Sequence, residues 1–127
     1  MKLVNQILAG SQIALAAEAL AFGVRAGLDP NQIYEVICNS AGGSFMFQNR
    51  VPHMINDDYT PHSAVDIWVK DLDIVLETGK ELRFPLFFSA LAHQLFLSAS
   101  ASGHGRLDDA AVVKVFEQLT GISVSGK

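Results

Sequence analysis

Cysteine is nearly absent from this 127-residue chain, and Cys38 stands alone. One thiol can close no internal disulfide and supplies no paired cysteines for a structural zinc site, so a reducing, cytoplasmic setting is expected. Charge is also scarce: 17% of residues are ionic, below the ~25% usual for soluble domains. The nine Lys and Arg are scattered among thirteen Asp and Glu for a net charge of −4. No basic patch exists to follow a phosphate backbone, and nucleic acid is not an expected partner. Strictly alternating stretches bounded by hairpin turns are missing, as are internal repeats, which excludes sheet-based and solenoid architectures.

Apolar residues are abundant at 50%, and the mean hydropathy is positive. That suffices for one domain with its own core. The apolar excess points to a partner subunit or a further domain that covers the rest. Met1-Lys2 and the Ala-rich run after it superficially resemble a signal peptide. However, Asn5, Gln6, Gln12 and Glu18 interrupt the run, which continues through Arg25 without a cleavage region. Glu18 would also sit unpaired in hydrocarbon, so no membrane span is expected.

Propensity and punctuation predict an all-α fold. Lys2 to about Ala26 contains no proline and is rich in Ala, Leu, Gln and Glu. Its apolar residues Leu3, Ile7, Ile13, Leu20 and Val24 surround much of the circumference, so this long helix should be central. Gly27 stops it, and Asp29-Pro30 opens a second helix to about Asn39, with Ile33, Val36 and Ile37 as its apolar face. Ser44 can cap a short third helix through Phe45, Met46 and Phe47, and Pro52 and Pro61 frame an irregular stretch. Ser63 with Asp66 three residues later reads as a capping-box variant opening a helix to about Leu82. Its apolar stripe would be Ile67, Trp68, Leu72, Val75, Leu76 and Gly79. After Phe84-Pro85, a helix from Leu86 to Ser102 should bury Phe87, Leu91, Leu95 and Phe96. The last helix runs from about Asp108 to Leu119, with residues 123–127 frayed.

The usual chemical motifs are few. Gly42-Gly43 has neither the preceding strand nor the spacing of a dinucleotide fingerprint. His53, His62, His93 and His104 are spread along the chain and are expected to bind no metal. The serines lack a nucleophile elbow, and Cys38 reads as a small core residue. What remains is Lys2 with Asn5 and Gln6, three polar side chains at i, i+3 and i+4 on one side of a helix. A solvated first turn would look the same. Lys70, four residues after Asp66 and three before Asp73, fits an ordinary surface ion pair.

Lys2-Leu3-Val4-Asn5-Gln6 and the helix through Ala17-Glu18-Ala19 resemble the catalytic-lysine motif that opens the C-terminal domain of β-hydroxyacid dehydrogenases. Val69-Lys70-Asp71-Leu72 resembles the family's second signature, followed by Phe84-Pro85-Leu86. Gly103-His104-Gly105 and Asp108-Asp109-Ala110-Ala111 resemble its closing stretch, although Ala110 stands where Ser is common. Within the family, residues 41–70 look most like the L-threonate dehydrogenase branch.

The resemblance implies a helical bundle like the C-terminal domain of 6-phosphogluconate dehydrogenase. It implies that residues 1–127 are one substrate and oligomerisation domain, with a Rossmann domain for NAD or NADP lying outside this chain. Lys2 would be the general acid/base, Asn5 and Gln6 would orient a small hydroxyacid, and Lys70 would approach the cofactor. Many relatives carry Asn where Gln6 stands. Homo-oligomers are expected, and the isolated domain should be inactive. A non-catalytic helical dimerisation module is the alternative from a different class, under which Lys2 and Lys70 are plain surface charges.

Overall fold

The computed structural model describes residues 1–127 and is helical throughout. Its elements are α1 (Lys2–Arg25), α2 (Pro30–Cys38), α3 (Phe45–Ile55), α4 (Val65–Glu81), α5 (Phe87–Ala99) and α6 (Val113–Thr120). A π-helical turn over Ser100–His104 follows α5, and a 3₁₀ turn over Asp109–Val112 leads into α6. The expected all-α bundle with a long central first helix is what the chain forms: α1 packs against each of the other five helices. Its length and hydropathy would suit a membrane span, but Ile13, Ala14, Ala16, Ala17, Leu20 and Ala21 are buried in the bundle core.

Small residues on α1 set how closely its neighbours approach. A Cβ added to Gly10 would lie 3.0 Å from two ring carbons of Trp68 on α4, and one on Gly23 would overlap Ile33 on α2. Trp68 stacks on Phe96 of α5 with ring centroids 6.0 Å apart. The α1, α4 and α5 helices therefore meet around one indole.

The local stop and start signals work where the sequence placed them. Gly27 adopts a left-handed φ of 99°, and the Asp29 carboxylate accepts from the Gln32 N–H at 3.3 Å ahead of Pro30. Ser44 Oγ accepts from the Phe47 N–H at 3.0 Å. Such caps are worth about 1 kcal/mol each.

Several expectations are corrected. α3 runs on to Ile55 with Pro52 inside it, because the fully buried Val51 and Met54 offset the ~3 kcal/mol that an interior proline costs. The irregular stretch begins only at Asn56. Ser63 caps nothing: the N-cap of α4 is Ala64, and the free N–H groups of Val65 and Asp66 donate to the carbonyls of Leu107 and Gly105 at 2.8 and 3.0 Å. Asp66 accepts instead from Ser100 Oγ at 2.6 Å.

Val36, Ile67, Phe87 and Leu91 point to solvent. The face that α5 buries is Ser89, Ala92, Phe96 and Ala99, in which three small residues admit α1 and α4 closely and Phe96, as expected, fills the core beside Trp68. The tail does not fray, since Val124 is buried and its N–H donates to Glu117 Oε2 at 2.8 Å.

Candidate active site

The first two turns of α1 carry three of its polar residues, Lys2, Asn5 and Gln6. Gln6 Nε2 donates to Asp71 Oδ2 on α4 at 2.9 Å, and Asn5 Nδ2 donates to Gln6 Oε1 at 3.1 Å. Lys70 Nζ lies 4.0 Å from the other Asp71 oxygen. The two sequence signatures, some sixty-five residues apart, thus converge on one carboxylate. Lys2 sits one turn before Gln6, exposed, and forms no hydrogen bond or ion pair within the chain. Its ammonium is free to meet a bound molecule.

Lys70 pairs with neither Asp66 nor Asp73, as a plain surface ion pair would have had it. Its side chain is 71% exposed, whereas that of Asp71 is 13% exposed. Sequence reasoning did not single out Asp71. The available signal was its position three residues after Trp68 and four before Val75, on the core-facing side of α4, where a carboxylate needs a partner.

A second polar cluster was also missed, because a charged pair ordinarily reads as solvated. Asp108 and Asp109 are both completely buried. Asp109 receives Arg50 in a forked contact, Nε to Oδ1 at 2.6 Å and Nη2 to Oδ2 at 3.2 Å, together with Trp68 Nε1 at 2.7 Å. Burial raises its pKa above the usual carboxylate value, against the opposing pull of Arg50 and Trp68.

Asp108 meets His53 Nδ1 at 2.9 Å and accepts the backbone N–H groups of His62 and Ala110 at 3.1 and 3.2 Å. Burial pushes its pKa up, but these hydrogen bonds and the His53 charge outweigh it and leave the pKa lowered. His53 and His62, scattered in the sequence, have ring centroids 5.8 Å apart here. Every oxygen of the two carboxylates is engaged within the fold and both side chains are completely buried, so this cluster ties α3, α4 and the 3₁₀ turn together and is closed to a substrate.

A groove of about 410 Å³ runs between α1 and α5, lined by Leu8, Leu15, Phe88 and Leu91 among others. These four side chains are ones that the bundle leaves uncovered, with Phe88 80% exposed. Lys70 is exposed, and no glycine-rich turn accompanies it.

The family model described as NAD-binding of NADP-dependent 3-hydroxyisobutyrate dehydrogenase matches residues 1–116. An L-threonate dehydrogenase of Cupriavidus necator is 57% identical over 127 residues, covering 100% of this chain and 42% of that protein. An L-threonate dehydrogenase of Escherichia coli is 50% identical over 120 residues, covering 94% of this chain and 40% of that protein. The crystal structure of a 3-hydroxyisobutyrate dehydrogenase from Salmonella typhimurium superposes with a TM-score of 0.89 at 51% identity, over 90% of this chain and 40% of that one. The chain therefore spans about two-fifths of the length of the relatives it matches. With the family model covering nearly all of its residues and the fold shared with a solved relative, the chain belongs to the 3-hydroxyisobutyrate dehydrogenase family of NAD(P)-linked hydroxyacid dehydrogenases.

Proposed function

We propose that this chain is the substrate-side domain of an NAD(P)-dependent dehydrogenase of small hydroxyacids, acting beside a Rossmann-type nucleotide domain, with Lys2 as general acid and base. The observation that carries this reading is the hydrogen-bonded chain from Asn5 through Gln6 to Asp71, with Lys70 4.0 Å from that carboxylate and the unpaired Lys2 one turn before Gln6 on the same side of α1. A free ammonium can donate a proton to a carbonyl oxygen as charge develops on it, and can take that proton back in the reverse direction once deprotonated. Asn5 and Gln6 offer amide donors and acceptors for the carboxylate and hydroxyls of the substrate.

Bound NAD or NADP supplies the hydride acceptor or donor. Of the residues here, exposed Lys70 fits its anionic part, and the pyrophosphate calls for a βαβ unit on the other domain. Threonate is the first candidate substrate, since relatives at 46–57% identity are named for it; glycerate and 3-hydroxyisobutyrate follow. The uncovered apolar faces of α1 and α5 support a homo-oligomer, and the lone thiol supports a cytoplasmic setting. Those same faces favour the second reading, a helical dimerisation module without catalysis.

The test is Lys2→Met in an enzyme that joins this chain to its nucleotide domain. General acid/base catalysis is typically worth ~10²–10⁴ in rate, so kcat should fall by about that factor with cofactor affinity little changed. A variant with wild-type kcat on its best hydroxyacid would overturn the general acid and base role of Lys2.

A further inference from the structure

We infer that Asp71 is a positioning residue, which fixes the direction of the Gln6 and Asn5 amides and so makes Asn5 the amide that meets the substrate. The inference rests on the dehydrogenase reading above and deepens it. Asp71 lies in the seam between α1 and α4 with its side chain only 13% exposed. That seam is narrow, because Gly10, one turn after Gln6, lets α1 rest directly on Trp68 and Leu72.

An ionised carboxylate only accepts hydrogen bonds. Gln6 must therefore turn its NH₂ towards Asp71, as the 2.9 Å contact requires, and its Oε1 then faces Asn5. That oxygen also only accepts, so Asn5 must present its own NH₂, at 3.1 Å. A direction is thereby passed from Asp71 through two amides to the exposed end of α1.

The chemical consequence is a division of labour. Gln6 spends its oxygen on Asn5 and an N–H on Asp71, both partners within the chain. Asn5, exposed beside Lys2, keeps its Oδ1 as an acceptor and one N–H as a donor. A hydroxyl adjacent to a carboxylate offers the complementary pair, with its O–H to Oδ1 and a carboxylate oxygen to the N–H. Lys70, 4.0 Å from Asp71, offsets a negative charge that would otherwise repel an anionic substrate. Without Asp71 both amides can flip by half a turn and present the wrong atom.

The test is Asp71→Leu, Asn5→Ala and the double variant, made in the enzyme that joins this chain to its nucleotide domain. Loss of the fixed amide direction removes hydrogen bonds from Asn5 to the substrate, so Asp71→Leu should raise KM for the hydroxyacid about tenfold or more. Affinity for NAD or NADP should hold, and kcat should change by less than about threefold, since the lost interaction is made in ground and transition states alike. In the Asn5→Ala background Asp71→Leu should raise KM no further, because its effect travels through Asn5.

Effects that multiply instead, an unchanged KM in Asp71→Leu, or a fall in kcat matching that in kcat/KM would each overturn the relay. If Asp71→Leu does not fold, Asp71→Asn replaces it. An amide can both donate and accept, so this variant loses the fixed direction and should raise KM by a smaller factor, again absent with Asn5→Ala. Lys2→Met is assayed in parallel. Wild-type kcat there would sink the catalytic reading of Lys2, while the KM cycle would still decide the role of Asp71.

Discussion

Arg50→Met is the substitution that should cost this fold most for its size. Asp109 is completely buried and takes the Arg50 fork at 2.6 and 3.2 Å. The Arg50 side chain is itself only 14% exposed, so solvent offers little screening or replacement. Methionine keeps much of the aliphatic stem but strands a buried carboxylate with Trp68 Nε1 as its remaining side-chain donor. Breaking one side of a buried ion pair typically costs 3–5 kcal/mol, so about that loss is expected here. With urea m-values of ~1–3 kcal/mol/M, the midpoint should fall by about 1–5 M, and by about 2 M at an intermediate m-value of ~2 kcal/mol/M.

The loss should also depend on pH. Removing Arg50 removes an influence that lowers the Asp109 pKa, which burial already raises. The native state then holds a proton that the unfolded state has released, and stability declines as pH rises through that window. Arg50→Met should therefore lose less at pH 5 than at pH 8. Asp109→Asn, which removes the charge and keeps an acceptor for Trp68, should cost less than Arg50→Met at pH 8. Equilibrium unfolding followed by the fluorescence of Trp68, the one tryptophan of the chain, reads all of this directly. A loss under about 1 kcal/mol for Arg50→Met, the scale of a surface pair, would refute the argument.

Gly10→Ala should gain up to about 1 kcal/mol in helix propensity but lose about 1–3 kcal/mol to overpacking, because the Trp68 ring 3.0 Å away is held by Asp109 and Phe96. The net is a drop in Tm, and a raised Tm would mean that the indole can shift. Asp108, with its pKa lowered by His53 and two backbone N–H groups that outweigh burial, contributes stability above its unfolded value of about 3.9 that is lost as pH falls through the folded value. Asp108→Asn should flatten that acid limb in thermal melts from pH 6 to pH 2, and an unaltered limb would assign it to other carboxylates.

What the sequence disclosed was what is local. Asp29-Pro30 and Ser44 announce helix starts because a cap and its N–H partner lie three residues apart. Lys2, Asn5 and Gln6 share a side of α1 by helical periodicity alone. The remainder depends on partners that spacing does not reveal. Gln6 finds Asp71 across sixty-five positions, and Arg50 finds Asp109 across fifty-nine. Pro52 would break an isolated helix, yet Val51 and Met54 bury on either side of it and hold α3 together. Ser63 carries the chemistry of a cap, but the backbone of residues 105–107 reaches the N-terminus of α4 first. In α5 Phe96 is buried as its pattern suggests, but Phe87 and Leu91 lie outside while Ser89, Ala92 and Ala99 lie inside, because small residues suit the close approach of α1 and α4.

The buried cluster and the exposed site are connected through α4. Trp68, Lys70 and Asp71 lie within four positions of one another, and Trp68 is anchored by Asp109, which Arg50 holds in turn. Gly10 then fixes the height at which α1 crosses that indole, and Gln6, one turn earlier on α1, meets Asp71 at 2.9 Å as a result. A slide of α1 by a single residue, about 1.5 Å, would break that contact while leaving most of the apolar core buried. The Arg50 fork and the Trp68 N–H hold the indole in place, and the close seat of Gly10 on that ring sets where α1 crosses. The fixed crossing thus sets where Asn5 and Lys2 stand relative to Lys70, and the buried Asp109 cluster reaches the exposed polar end through Trp68 and Gly10.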